Sequence, residues 1–214
     1  MNNEFIKRAL SSSVLITLIF IVISTNTVIF NLFLLICFLI SAKEWLLLSK
    51  NKINSLLGIL FLIISFYSAY SLKFNYENYS YFILILIICI STDLGGYLFG
   101  KILKGPKLIK ISPNKTYTGV FGSFLISILF LLIFLKLDLL NKDLILSNKI
   151  IFFTVLVSAI SQIGDLIISY FKRISKVKDT GSIIPGHGGL LDRIDGMIFA
   201  FPFSYFLISN NILI

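Results

Sequence analysis

The feature that most constrains this chain is a set of apolar runs too long for an ordinary soluble helix. "FILILIICISTDLGGYLFG" (82–100) and "GVFGSFLISILFLLIFLK" (119–136) each carry one charged residue. Runs of roughly 17–25 apolar residues are what a helix needs to cross a bilayer core. Backbone polar groups in lipid must be satisfied internally, so only helices or closed barrels can span it. The alternating ten-residue pattern of a barrel strand is missing. The expected fold is therefore an all-α, polytopic membrane helix bundle in a single domain, 1–214. Composition agrees: 14% of the 214 residues are charged, against about 25% in soluble domains.

Seven spans are expected, near 10–25, 27–42, 54–72, 80–100, 118–136, 149–171 and 194–211. The first two are short and nearly contiguous, which predicts a tight hairpin turning at Ser24, Thr25 and Asn26. Lys7 and Arg8 before the first run resemble a signal peptide's start, but no small-x-small cleavage site follows, so an uncleaved span is expected. Cys37 and Cys89 sit inside apolar runs without metal-ligand spacing and are read as packing residues.

With the N-terminus inside, fifteen of the nineteen basic residues fall in inner segments; only Lys73, Lys136, Lys142 and Lys149 fall outside. The positive-inside rule then predicts N-in and C-out. Topology explains most of the net charge of +9, so no nucleic-acid partner is expected. The loop 101–117 holds five lysines, which suits a membrane-surface anchor or a site for a phosphate-rich ligand.

Two aspartates lie within spans. Asp93 precedes Lys101 by eight residues and Asp165 precedes Lys172 by seven, so both lie about 10–12 Å from the inner helix ends. Ser158, Ser161, Gln162, Asp165, Ser169 and Lys172 recur at spacings of three and four, hence on one face. The serines alone could join helices, but an ionised carboxylate at this depth requires a partner or a cation.

"KDTGSIIPGHGGLLDRIDG" (178–196) concentrates the only histidine, three of ten acidic residues and five of thirteen glycines. Pro185 and the glycines forbid a regular helix, and glycine amides can form an anion-binding concavity. Asp192 and Asp195 share one face; with Asp165 and Asp179 they supply the hard oxygens Mg2+ prefers. His187 suits a general acid or a donor to a phosphate oxygen. Carboxylates, cations and a glycine turn together point to phosphoryl or nucleotidyl transfer.

At these residues the chain resembles the phosphatidate cytidylyltransferase (CDP-diacylglycerol synthase) family. The similarity runs through Ser169, Lys172, Arg173, Lys178, Asp179, Gly181, Pro185, His187, Gly188, Gly189, Asp192, Arg193 and Asp195. "DLGGYLFGK", "SPNKTYTG", "FIKRALSSSVL" and "AKEWLLL" around Glu44 extend it over nearly the whole chain. Thr118 stands where the family often has Glu or Gln, and Ser123 replaces the second of two glycines.

The resemblance implies that CTP and phosphatidic acid give CDP-diacylglycerol and pyrophosphate at the cytoplasmic face of the inner membrane. It implies Mg2+ on Asp165, Asp192 and Asp195, with Asp93 and Asp179 as further ligands and room for a second cation such as K+. Lys172, Arg173, Lys178 and Arg193 would hold phosphates, beside His187. Lys115, Ser169, Gly188 and Gly189 would contact substrate, and a homodimer is compatible. A CTP-dependent lipid or polyprenol kinase and a cation transporter are the alternatives. A CDP-alcohol phosphotransferase is excluded, because no acid follows Asp195.

Overall fold

The computed structural model describes residues 27–75, 79–109, 112–137, 146–184 and 188–212. Their elements are α1 (Thr27–Leu48), α2 (Lys52–Phe74), α3 (Ser80–Leu103), β1 (Lys107–Ile109), β2 (Ser112–Thr116), α4 (Tyr117–Lys136), α5 (Asn148–Ile174), α6 (Leu191–Ile194) and α7 (Met197–Ser209). The first five long helices, α1 to α5, are long and apolar enough to cross a membrane. The expected span 10–25, its turn, Lys7 and Arg8 lie outside the described residues, as do Lys110, Lys142, Pro185, Gly186 and His187.

The all-α expectation is borne out by seven helices among the described residues, five of them long and apolar, and two details differ. The segment 194–211 is interrupted: α6 stops at Ile194, and α7 has 13 residues. That is about 20 Å of helix, short of the roughly 30 Å hydrocarbon core. Asp195 and Gly196 form the break, and the Asp195 carboxylate accepts the Gly196 N–H at 2.9 Å, an alternative to helical pairing.

Within this helical fold, β1 and β2 form a short antiparallel ribbon pairing Lys107 with Thr116 and Ile109 with Ser112. The α3 helix ends at Lys104 in a left-handed conformation (φ 44°), and Gly105-Pro106 cannot continue it. Thr116 then caps α4 by accepting from Gly119 N–H at 3.1 Å.

The chain divides into two compact units, Met1–Phe66 with Phe171–Ile194, and Tyr67–Tyr170 with Asp195–Ile214. In the first unit, Trp45 joins elements. Its indole N–H donates to Asn54 O at 3.1 Å, and its ring meets Phe171 edge-on at 4.8 Å. Gly58 leaves room for that indole. Nearby, Lys50 Nζ donates to Ile174 O at 3.2 Å and Ser175 Oγ to Leu48 O.

In the second unit, α3 and α4 meet along small residues, as membrane helices do when backbones approach closely. A Cβ on Gly95 would lie 2.5 Å from Gly122 O, and one on Gly119 would lie 2.9 Å from Gly96 O. Ser123, at a position where the family often has glycine, uses its hydroxyl to bond Thr92 O at 2.7 Å. Thr92 Oγ1 bonds Ser158 Oγ on α5 at 2.8 Å. Phe82 stacks on Phe201 of α7 at 5.2 Å.

Candidate active site

The polar chemistry of the first unit centres on the loop that precedes α6. Asp192 is a buried carboxylate whose side chain is 5% exposed, and its Oδ1 pairs with Lys172 Nζ at 2.8 Å. Its Oδ2 accepts from Thr180 N at 2.7 Å, Thr180 Oγ1 at 3.0 Å and Gly189 N at 3.0 Å. Burial pushes the Asp192 carboxyl up, but the Lys172 ammonium and the two backbone amides outweigh it. The group is held below the usual carboxylate range.

Glu44 of α1 completes this arrangement. It is 2% exposed, and it accepts from Leu190 N at 3.0 Å, Leu191 N at 2.8 Å and Thr180 Oγ1 at 3.0 Å. Two carboxylates thus hold one loop. The backbone is shaped to allow it. Gly188 has φ +87°, a conformation side chains rarely adopt, and a Cβ there would meet Asp192 Oδ2 at 2.9 Å. Ile184 N donates to Gly188 O at 2.9 Å, closing the loop's neck. The side chains of Arg173, Lys178, Asp179 and Arg193 are exposed.

These contacts show where the expected residues lie and what they touch. Asp192, expected on a cation, has its oxygens engaged by Lys172, Thr180 and Gly189. The Gly189 amide, expected to face a phosphate, faces Asp192. Lys172 is 12% exposed and ion-paired.

The second unit holds a separate polar group. Asp165 Oδ2 pairs with Lys115 Nζ at 2.5 Å, with side-chain exposures of 29% and 24%. Lys115 comes from β2, the ribbon that the sequence did not reveal. Ser169 Oγ donates to Asp165 Oδ1 at 3.3 Å. The expected polar face of α5 is inward, with Ser158, Ser161 and Ser169 all buried. Asp195 is 9% exposed. Its carbonyl lies where a Cβ on Gly164 would be 2.9 Å away, so Asp165 and Asp195 rise from touching backbone. Asp93 on α3 is exposed.

Among the described residues, no three His, Cys, Asp or Glu side chains are grouped to hold a metal ion. Mg2+ in phosphate chemistry needs less than such a cage, because it commonly takes one or two carboxylates plus substrate phosphates. Asp165 presents one such carboxylate, 29% exposed, and Asp195 a second that is nearly buried.

The site residue that sequence reasoning passed over is Glu44. The only signal for it was an acid inside the apolar "AKEWLLL" stretch.

The comparisons with known proteins agree with this chemistry. The model of the cytidylyltransferase family matches residues 52–210. A phosphatidate cytidylyltransferase of Rickettsia typhi is 35% identical over 201 residues, 91% of this chain and 88% of the relative. One from Staphylococcus epidermidis is 37% identical over 164 residues, 74% of this chain and 62% of the relative. One from Bacillus subtilis is 40% identical over 138 residues, 63% of this chain and half of the relative. The matched stretch thus spans less than two thirds of the staphylococcal and bacillar proteins. The family model's match, 52–210, includes α2 to α7 with the Lys172–Asp192 and Lys115–Asp165 pairs, and on that footing the chain belongs to the cytidylyltransferase family.

Proposed function

We propose that this chain transfers the cytidylyl group of CTP to phosphatidic acid, giving CDP-diacylglycerol and pyrophosphate, and that residues 1–214 act as one membrane domain. The printed names of the relatives support the substrates. The observation that carries the reading is the loop before α6. It is clamped by Asp192 and Glu44, with Lys172 fixed at its base and the side chains of Lys178 and Arg193 exposed.

A lipid phosphate is already anionic at neutral pH, so it needs no strong base to attack the α-phosphorus of CTP. A new P–O bond forms there as the α–β anhydride bond breaks and pyrophosphate leaves. The barrier is the meeting of two anions, which fixed cations lower. Lys172, Arg173, Lys178 and Arg193 are assigned to phosphate oxygens, and Lys115 to the triphosphate. Asp165 and Asp195 would hold a divalent cation, taken as Mg2+, which neutralises the triphosphate and the departing pyrophosphate when bound. Asp192 keeps Lys172 and the loop in place.

We further assign the chain to the inner membrane with the loop facing the cytoplasm, where CTP is found; the distribution of basic residues supports this. Purified protein given CTP and phosphatidic acid should release pyrophosphate and form CDP-diacylglycerol. Release of CDP instead would indicate a kinase, and no nucleotide turnover would sink the reading. In a background lacking Cys37 and Cys89, Ser182→Cys should label only from the cytoplasmic side; labelling from outside would reverse the orientation.

A further inference from the structure

Glu44 stands near the end of α1 with 2% exposure, and among the described residues it makes no ion pair. A carboxylate buried without a cation is costly unless hydrogen bonds compensate for the lost water. Among the described residues, the compensation comes from Thr180, Leu190 and Leu191. None of these donors belongs to a spanning helix. Trp45, the next residue, does the packing of α1 through Asn54 and Phe171. The division is clean: Trp45 serves the helices and Glu44 serves the loop.

The loop is shaped around this carboxylate. A Cβ on Gly181 would lie 2.6 Å from Glu44 Oε1, and one on Gly189 would lie 2.5 Å from Glu44 Oε2. Thr180 Oγ1 stands 3.0 Å from both Glu44 Oε2 and Asp192 Oδ2. A hydroxyl has one proton, so it links the two carboxylates while donating to one at a time. The amides of Leu190 and Leu191 lead into the turn that carries Asp192 and Arg193. Glu44 also precedes the residues matched by the family, 52–210.

We propose that Glu44 is a positioning residue for cytidylyl transfer. It anchors Thr180, Leu190 and Leu191, and so fixes the Lys172–Asp192 pair together with the phosphate-holding edge of Lys178 and Arg193. The role rests on the reaction proposed above. Glu44 itself touches no reacting atom.

The test is Glu44→Gln, with Thr180→Val and Thr180→Ser beside it, each assayed per folded molecule in detergent with CTP and phosphatidic acid. An amide turns an N–H toward backbone donors, so Glu44→Gln should lose kcat/KM for CTP. Misplacement of about 1 Å costs on the order of 10²-fold. Most of the loss should appear as a raised KM for CTP. Hydrogen exchange at Leu190 and Leu191 should quicken. Thr180→Ser should keep wild-type kinetics, whereas Thr180→Val should lose part of them.

A Glu44→Gln protein that melts early but keeps its KM and turnover per folded molecule would reduce Glu44 to a structural role and overturn the proposal. If Glu44→Gln does not fold, the Thr180 pair decides: equal kinetics for Val and Ser would overturn it as well. Wild-type protein that releases no pyrophosphate would overturn the reaction first. In that case unchanged exchange at Leu190 and Leu191 in Glu44→Gln would separately refute the anchoring.

Discussion

Asp192→Asn tests the clamp most directly, because both oxygens of the carboxylate have assigned donors. The amide can present one oxygen. If that oxygen stays on the Thr180 and Gly189 side, the new NH2 group faces the Lys172 ammonium, 2.8 Å from the atom it replaces. Turning it the other way sets NH2 against two backbone N–H groups. The first arrangement loses one charge-assisted hydrogen bond, about 1.5–3 kcal/mol. It also strands an ammonium that is only 12% exposed, which brings the loss toward about 3–5 kcal/mol. Unfolding in mixed detergent micelles should read that loss at neutral pH. Lys172→Met combined with Asp192→Asn should recover part of it, with a coupling of about 0.5–3 kcal/mol.

The pH arm follows from the sign of the shift. Asp192 is depressed in the folded state, so its contribution is complete above the ordinary value of 3.8. It fades as pH falls through the lower folded value. The gap between wild type and Asp192→Asn should therefore close in acid, below 3.8. Stabilities agreeing within about 0.5 kcal/mol at neutral pH, with no coupling to Lys172, would refute the reasoning.

Two further outcomes are expected. Asp165→Asn releases Lys115 from a pair whose side chains are 24% and 29% exposed, so stability should fall by no more than about 1 kcal/mol. Turnover should fall on the order of 10²-fold, and a destabilised variant with full turnover per folded molecule would take Asp165 out of the cation site. Gly95→Ala sets a methyl group 2.5 Å from Gly122 O, a backbone atom that cannot swing aside, at a cost of about 1–3 kcal/mol. Gly100→Ala, whose nearest neighbour is the Thr116 hydroxyl at 3.2 Å, is the control, and equal melting of the two would contradict the close α3–α4 seam.

The four middle spans were legible to within three residues at each end, from 54–72 against Lys52–Phe74 through 149–171 against Asn148–Ile174. Uninterrupted hydrocarbon is itself a length signal, and lipid leaves it one backbone solution. The Asp195–Gly196 break was not legible, because averaged hydropathy runs through a single polar pair. Neither was the ribbon, whose strands have three and five residues.

At the site, Asp165, Lys172 and Asp192 stood out as polar residues in apolar surroundings, but their partners did not. The sequence places Lys115 and Asp165 without linking them, and the structure pairs them. Periodicity reports which face a residue occupies and carries no information about what crosses from another element. Glu44 lacked even a periodic pattern: it is one acid in an apolar helix, and its donors lie 136 to 147 residues further on.

That separation has a consequence for biogenesis. At about 5–20 residues per second of synthesis, Glu44 is made about 7–30 seconds before the amides that receive it. For that interval the nascent α1 must keep the carboxylate hydrated, without its eventual donors. The clamp is thus among the last contacts to close, after the helices are inserted. Its loss should leave insertion rates alone and show itself as faster opening of the finished protein.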